Sequence, residues 1–311
     1  MAAVSLAVAT SVVAPAAVAQ QKFINVLTGG TSGVYYPLGV ALAKIYDEAI
    51  EGARTQVQST KGSVENINLL VQGRGEVALA LADTIIAAAE GNADAGFPQP
   101  VETLRSIAAT YPNYVQIAAS EASGITDLEG LRGKALSVGA PASGTELNAR
   151  AILGAAGLSY DDLGKVEYLP FGESVELIKN RQLDATLQSA GLGVASIRDL
   201  SASIPIRMVP IPASIADTLG APFQAADIPA GTYDGQDEAV PALAITNILI
   251  TSSEVDEELV YEMTKALFEN LDELKTAHPA AASIDPATAT TDLPVPLHPG
   301  AERYYKEAGL L

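Results

Sequence analysis

Short apolar runs alternate with amphipathic stretches along most of the chain. In the amphipathic stretches apolar residues recur every three to four positions, which is the spacing of a helix. The apolar runs predict strands at 23–28, 54–58, 77–81, 106–110, 114–119, 135–138, 165–169, 184–187, 206–209 and 242–251. The amphipathic stretches predict helices at about 34–50, 64–73, 83–90, 143–157, 173–180, 191–199, 256–274 and 300–308. Such alternation is typical of an α/β fold in which helices cover both faces of a parallel sheet.

Three turns of small and polar residues each connect a predicted strand to a predicted helix. They are Gly29–Pro37, Ser59–Asn66 and Gly139–Thr145. A turn of this kind leaves backbone N–H groups unpaired at the positive end of the helix dipole, and glycine lets an anion approach the main chain. A carboxylate or a phosphate can bind there, although a single such turn is equally consistent with a tight connection that binds nothing. Because the turns lie far apart in sequence, they suggest two facing lobes with a cleft between them.

Taken together, these turns resemble the motifs of the TAXI-type solute receptors of tripartite ATP-independent periplasmic (TRAP) transporters. The resemblance covers nearly the whole chain and extends to Ile228–Tyr233 and Pro296–Tyr305. The chain departs from the family pattern at several positions, among them Leu27, Ser32 and Lys61. These departures concern the identity of the ligand more than the fold.

The resemblance implies an α/β protein with the two-lobed periplasmic-binding-protein fold (type II-like). Each lobe is then a mainly parallel sheet flanked by helices, and a hinge joins the lobes. The implied lobe I is discontinuous and comprises residues 20–112 and 241–311, while residues 113–240 form lobe II. The periodicity alone does not distinguish this arrangement from a simple division into two halves.

The resemblance also implies an extracytoplasmic receptor, and not an enzyme, that closes on a small solute and delivers it to a membrane permease. The implied solute is glutamate, glutamine or a dicarboxylate such as 2-oxoglutarate. The implied partner is a fused TRAP permease driven by a sodium gradient, and no cofactor is expected. A periplasmic sensory protein that reports ligand occupancy to a signalling receptor is the alternative from a different class.

Residues of the turns and of two further segments are candidate ligand contacts. The candidates are Gly30, Thr31, Ser32, Tyr35, Thr60, Ser63, Asn66, Asp83, Ser143, Gly144, Thr145, Ser189, Ala190 and Gly191. Asn66 is equally suited to capping its helix, and Asp83 binds an α-ammonium group or caps its helix. One ring of the pair Tyr35 and Tyr36 is expected to pack in the core. Arg150 either adds positive potential near the third turn or lies on the surface of its helix.

Composition limits the possible partners. The 311 residues are 48% hydrophobic, which is enough for a large core or for two domains. The 37 acidic residues outnumber the 18 lysines and arginines, and the net charge of −19 opposes binding to nucleic acid or to an anionic membrane. The chain has no cysteine, which excludes disulfides, thiolate metal sites and a lipidated N-terminal cysteine.

Residues 1–19 form an uncharged stretch rich in Ala, Val and Ser that ends in Ala17-Val18-Ala19. This pattern is typical of the apolar region and cleavage site of a signal peptide, so we expect removal after Ala19 and localisation in the periplasm. The positively charged start usual in signal peptides is missing, which is consistent with a start downstream of the true one. A short buried helix is the alternative interpretation.

Other chemistries receive less support from the residues. A hydrolase needs a base beside its nucleophile, and the two histidines, His278 and His298, each directly precede a proline far from the serine-containing turns. No G-x-S-x-G elbow and no phosphate-binding glycine motif of a nucleotide site occurs. Carboxylate runs such as Asp161-Asp162 are typical of solvated loops and helix starts, not of metal sites. We therefore expect His298 to be structural.

Overall fold

The computed structural model describes residues 21–311, so the predicted signal peptide lies outside the described residues. The described residues form ten strands and ten α-helices. The strands are β1 (Lys22–Leu27), β2 (Ala53–Gln58), β3 (Val77–Leu81), β4 (Leu104–Ser120), β5 (Ala135–Ser137), β6 (Lys165–Glu167), β7 (Ala185–Ala190), β8 (Ile206–Val209), β9 (Gln224–Ile228) and β10 (Val240–Ser252). The helices are α1 (Tyr35–Ala49), α2 (Ser63–Val71), α3 (Ala82–Glu90), α4 (Gly144–Ala155), α5 (Phe171–Lys179), α6 (Ala195–Ser203), α7 (Ala213–Leu219), α8 (Glu257–Glu269), α9 (Leu271–Ala277) and α10 (Pro299–Glu307).

All ten strands belong to one mixed sheet that extends through two lobes. Its order is β2-β1-β3-β10-β4-β7-β5-β6, with β8 paired to β4 and β9 to β10. In lobe I, β1 is parallel to β2 and β3, and in lobe II, β5 is parallel to β6 and β7. The long strands β4 and β10 pair antiparallel and connect the lobes. The predicted fold class is confirmed, whereas the residue boundaries of the lobes stay a prediction.

Buried side chains form two clusters on the two faces of the sheet. Successive residues of β3 belong to alternate clusters: Val77 and Leu79 lie in one, and Ala78 and Ala80 lie in the other. Alternate residues of a strand point to opposite faces, so a strand covered on both faces reads as a continuous apolar run. Helices α1, α5, α6, α8 and α10 bury residues in the first cluster, and α2, α3, α4 and α7 in the second.

The structure corrects the predicted strands at 106–110 and 114–119, which form the single strand β4. Pro112 suggests a break in the sequence because proline cannot donate a hydrogen bond to the ladder. In the structure Pro112 lies opposite Thr246, next to a register shift between Thr246 and Ile248. A bulge at that point accommodates the proline without ending the strand.

Other differences lie in the second half of the chain. The helix predicted at 256–274 is divided at Asn270 into α8 and α9. The backbone of Asn270 is not helical there, with φ of −128° and ψ of 32°. The helix predicted at 191–199 begins later, at Ala195. The short elements α7 and β9 were not predicted. None of the helices between residues 21 and 311 is long and apolar enough to cross a bilayer.

The segment before α10 runs beside the first residues of β4. The backbone of Ser106 donates to Pro296 O at 2.9 Å and accepts from His298 N at 2.9 Å. The His298 ring accepts from Gly300 N at 3.2 Å through Nδ1, so Nε2 carries the proton and donates to Val255 O at 3.1 Å. The structural role predicted for His298 is confirmed.

Candidate functional site

A cavity of about 500 Å³ lies between the two lobes. Its walls are four turns, Gly29–Tyr35 and Ser59–Ser63 from lobe I, and Ala140–Thr145 and Pro170–Glu173 from lobe II. Its floor is formed by Tyr111 and Asn113 of β4. The candidate contacts that line it are Gly30, Thr31, Ser32, Tyr35, Thr60, Ser63, Ser143, Gly144, Thr145, Ser189 and Ala190.

Four helices begin at the walls of this cavity. Each follows the carboxyl end of a parallel strand, with α1 after β1, α2 after β2, α4 after β5 and α5 after β6. The first N–H groups of a helix have no partner within the helix, and they carry the positive end of its dipole. Ligands in open α/β sheets bind beyond the carboxyl ends of the strands. The local sequence therefore places four positive helix ends, two from each lobe, around one space.

Most wall hydroxyls already bind other atoms of the protein. Ser143 Oγ donates to Ala140 O at 2.6 Å and accepts from Glu146 N at 3.1 Å, which caps α4. Ser63 Oγ accepts from Leu81 N at 3.1 Å. Thr60 Oγ1 donates within the buried group around Asn66 and accepts from Gly62 N at 3.1 Å. These hydroxyls shape the turns, so the walls offer a solute mainly their backbone N–H groups.

Three other wall hydroxyls make no side-chain hydrogen bond within residues 21–311. They belong to Thr31 and Ser32 in the first turn and to Thr145 in the third. Thr31 is exposed, whereas Thr145 is buried. These three residues offer free hydroxyl groups to the cavity.

The cavity lining is almost free of charged side chains. Among its described residues, Lys61 is the one cation and Glu173 the one carboxylate, and both are exposed. Arg150 does not line the cavity. Its guanidinium binds both carboxylate oxygens of Glu146 at 2.8 Å, and it donates to Asp94 O at 3.0 Å. The positive potential of the cavity therefore comes from helix ends more than from side chains.

The structure does not place Asn66, Asp83 or Gly191 on the cavity lining. Asn66 is fully buried and donates to Thr28 O at 2.7 Å and to Leu79 O at 2.8 Å, so it ties the turn to the sheet. Gly191 lies behind the floor, where an added Cβ would be 3.2 Å from the Tyr111 ring. All three positions shape the surroundings of the cavity.

Asp83 belongs to a hydrogen-bond chain that joins the lobes behind the wall. Ser189 Oγ lies at the cavity and donates to Asn148 Oδ1 at 2.6 Å, and Asn148 Nδ2 donates to Asp83 Oδ2 at 2.6 Å. Asp83 Oδ1 is buried and has no partner within the described residues. Burial raises the pKa of Asp83 from 3.8 to about 6, although the hydrogen bond from Asn148 opposes the shift. Because Asp83 is buried and does not line the cavity, its carboxylate is shielded from a solute there.

The floor was not identified from the sequence. Tyr35 Oη donates to Asn247 Oδ1 at 2.6 Å, and Asn247 Nδ2 donates to Tyr111 O at 3.0 Å and to Asn113 Oδ1 at 3.4 Å. Asn113 Nδ2 and Tyr111 Oη are buried without a partner within the described residues. Both residues lie in the middle of β4, where the hydrophobic pattern predicts a strand but gives no indication of a binding site. The polar Asn113, within a mostly apolar and aromatic stretch of the sequence, was the available signal.

The turn Pro170–Glu173 was also missed, because it lacks the glycine and serine pattern of the other three. Its Phe171 ring packs against the opposite lobe, 3.8 Å from the position of a Cβ built on Gly33. An added Cβ at Gly172 would lie 3.4 Å from Ser32 Oγ. The first and fourth turns therefore meet across the cavity.

The second and third turns also touch each other. Glu65 N in α2 donates to Ala142 O at 3.1 Å across the lobes. A Cβ at Gly144 would lie 2.8 Å from both Leu81 Cδ1 and Ser63 Oγ. Contacts on both sides of the cavity show that the two lobes are closed around it.

Among the described residues, this cavity is lined by no metal-binding cluster and by no histidine. No group of three or more His, Asp and Glu side chains between residues 21 and 311 is arranged to hold a metal ion. His278 and His298 do not line the cavity, and burial lowers the pKa of both. The serines of the walls therefore have no imidazole partner there.

The fold is similar to that of several solved structures. Among solved structures, periplasmic binding protein BugD is similar with a TM-score of 0.58 at 12% identity, and the alignment covers 93% of this chain and 98% of that one. A protein from Bordetella bronchiseptica RB50 gives 0.57 at 15% identity, with 92% and 98% covered. A putative L-cystine ABC transporter from Listeria monocytogenes gives 0.53 at 13% identity, with 85% and 98% covered. Identities this low establish the fold alone.

A sequence model of a protein family identifies the chain more directly. The model of the NMT1-like family matches residues 26–309, which include every element from β2 to α10 and all four walls of the cavity. The chain belongs to the NMT1-like family.

Proposed function

We propose that this protein is an extracytoplasmic solute receptor that binds a small carboxylate in the interlobe cavity. The observation that carries the proposal is the convergence of four helix N-termini, two from each lobe, on one closed cavity. A carboxylate there would accept hydrogen bonds from unpaired backbone N–H groups while its charge faces the positive ends of the dipoles. No step of this binding needs a cofactor or a bond-breaking group.

The dimensions and lining of the cavity fit a small organic acid. A volume of about 500 Å³ lies in the usual range for small-molecule sites. Apolar side chains of Val34, Leu81 and Phe171 contact the space between the polar turns, which suits a short hydrocarbon chain. Glutamate, glutamine and dicarboxylates such as 2-oxoglutarate are the solutes that we propose.

Closure of the lobes would couple binding to delivery. A solute that contacts the first two turns and the last two turns at once binds the closed form better than an open one, and only such a difference in affinity shifts the equilibrium. The direct contacts between the lobes, such as Glu65 N to Ala142 O, would form together with the solute contacts. A membrane partner could then distinguish the closed, loaded receptor from the open, empty one.

The TAXI resemblance supports a TRAP permease, fused and driven by a sodium gradient, as that partner. The same resemblance and the apolar residues 1–19 support export to the periplasm. A sensory role is the second candidate, since the same closure can be read by a signalling receptor. Gene neighbourhood separates the two, because a neighbouring permease gene favours transport and a histidine kinase gene favours sensing.

Titration calorimetry tests the proposal. The protein is denatured and refolded to remove any co-purified solute, and is then titrated with glutamate, glutamine, 2-oxoglutarate, succinate and fumarate. Saturable binding of at least one at one site per chain is the expected result. If none of the five produces heat while the refolded protein has a cooperative unfolding transition, the carboxylate proposal is wrong.

A further inference from the structure

Two buried polar atoms on the cavity floor have no partner in the described part of the chain. They are Tyr111 Oη and Asn113 Nδ2. The two residues are separated by one position on β4, and both line the cavity. Tyr111 is 0% exposed and Asn113 is 1% exposed. A buried polar group without a partner costs free energy, and each such group in a native protein calls for an explanation.

The orientation of the Asn113 amide follows from its neighbours. Tyr111 O can only accept, so the Asn247 atom 3.0 Å from it is Nδ2, and Oδ1 is left to accept from Tyr35 Oη at 2.6 Å. The same Nδ2 lies 3.4 Å from the Asn113 amide, so the Asn113 atom that faces it is Oδ1. A reversed Asn113 amide would set two donors against each other. The bonds of Asn247 thus leave the N–H₂ group of Asn113, a residue of the cavity lining, without a partner in the described residues.

The Tyr111 hydroxyl is likewise an unpaired hydrogen-bond donor within the described residues. Burial raises its pKa well above the ordinary value, and proximity to Tyr35 acts in the same direction. The hydroxyl therefore remains protonated and available as a donor. No carboxylate side chain lies at the floor, since Glu173 is exposed in the fourth turn and Asp83 is held by Asn148.

We infer that Tyr111 and Asn113 form a donor subsite on the cavity floor, which binds an oxygen acceptor of the solute and rejects an ammonium group. This inference rests on the proposed function, because it assigns the second end of the solute whose first carboxylate the helix ends bind. The solute class is then an acid with a second carboxylate or a keto oxygen at its buried end. A site whose buried groups donate hydrogen bonds rejects a solute that lacks the acceptor, because the donors of the site would then stay unpaired.

Three probes of matched length test the subsite on the refolded protein. Glutarate carries a carboxylate at the second end, 5-aminopentanoate an ammonium group and pentanoate a methyl group. We expect glutarate to bind at least about tenfold more tightly than either of the other two, as for loss of a hydrogen bond to a charged group.

Two variants locate the effect. Tyr111→Phe removes the unpaired hydroxyl, so the solute-free protein should unfold at the same or a higher temperature while its affinity for glutarate falls about tenfold. A purely structural hydroxyl would give the opposite result, with lower stability and unchanged affinity. Asn113→Asp replaces the donor by an acceptor and should weaken glutarate binding while improving that of 5-aminopentanoate. Asn180→Asp adds the same charge at the exposed end of α5 and should change neither.

The outcomes separate this inference from the proposed function. If 5-aminopentanoate or pentanoate binds as tightly as glutarate, or if Tyr111→Phe retains full affinity for glutarate, the floor subsite is wrong while the carboxylate receptor stands. If the wild-type protein binds none of the three probes and none of the five solutes named above, the receptor proposal fails and the subsite fails with it.

Discussion

The walls and the floor of the cavity differ in how their polar side chains are satisfied. The wall hydroxyls of Ser63 and Ser143 bind backbone atoms of the protein itself. On the floor, Tyr111 Oη and Asn113 Nδ2 have no partner within the described residues. The walls thus present mainly backbone N–H groups, together with the hydroxyls of Thr31, Ser32 and Thr145, whereas both floor residues carry an unpaired polar atom. We expect the walls to supply charge complementarity and the floor to supply selectivity.

The largest effect is expected behind the wall, at Asp83. Its pKa in the folded protein is about 6, against 3.8 as the ordinary value, so the folded state holds this proton more tightly than the unfolded chain. The associated stability is fully present below pH 3.8 and is lost as the pH rises through about 6, up to roughly 3 kcal/mol. Asp83→Asn should therefore gain stability relative to wild type between pH 4 and pH 7, as measured by urea unfolding.

A gap between Asp83→Asn and wild type that is independent of pH would contradict this account of Asp83. The same variant also tests whether Asp83 contributes to solute binding. It should leave the affinity for glutarate nearly unchanged, because Asp83 does not line the cavity.

The next largest effect is expected from Gly144, where the walls of the two lobes touch. A side chain there would collide with Leu81 and Ser63 at 2.8 Å, so Gly144→Leu should oppose closure. If closure then falls to roughly 1% of molecules, the apparent affinity drops about 100-fold. Gly154→Leu in the same helix is the control, because nothing lies within 4 Å of a Cβ at that position. Equal affinity of both variants in calorimetry would mean that closure at Gly144 is not needed.

A smaller effect is expected from the wall hydroxyls. The double variant Ser143→Ala, Thr145→Ala should remain folded, with about 1 kcal/mol less stability from the lost cap of α4. Its affinity for the solute should fall about tenfold because the start of α4 and the Thr145 hydroxyl are disturbed. Asp256→Ala removes a comparable cap from α8, far from the cavity, and should lose stability without losing affinity. The double variant binding as tightly as wild type would move the site away from α4.

The smallest effect is expected at Lys61, the exposed cation of the walls. Lys61→Gln should weaken binding only about twofold to threefold at low salt and not at all in high salt, because solvent and salt screen an exposed charge. Lys265→Gln, on the surface of α8, is the control. A loss of more than tenfold that persists in high salt would show that Lys61, and not the helix ends, supplies the charge complementarity.

The contrast between walls and floor also explains which parts of the site the sequence could predict. The turns before α1, α2 and α4 are local patterns, because a strand, a small-residue turn and a helix follow one another along the chain. The floor is a tertiary feature, since Asn113 becomes a donor only through Asn247, which lies 134 positions away. Proline at position 112 is typical of a strand end, but a bulge in β4 between Ala109 and Pro112, which the sequence does not reveal, keeps the strand intact.

The same distinction applies to the fold as a whole. The alternation of strands and helices predicted the fold class, because it depends on periodicity within each segment. The helix break at Asn270, the later start of α6 and the short elements α7 and β9 do not follow from that periodicity; β9, for example, pairs with β10. Asp83 was a reasonable ligand candidate from its place after a strand, and only the bond to Asn148 in the other lobe shows that it is occupied.

The most direct test of the central claim is a crystal structure of the refolded protein with whichever carboxylate binds most tightly in calorimetry. The account predicts one solute molecule in the interlobe cavity, with a carboxylate at the N-termini of α4 and α5 and an oxygen within hydrogen-bond distance of Asn113 Nδ2. A solute bound outside the cavity, or one whose ammonium or methyl group faces Tyr111 and Asn113, would contradict it.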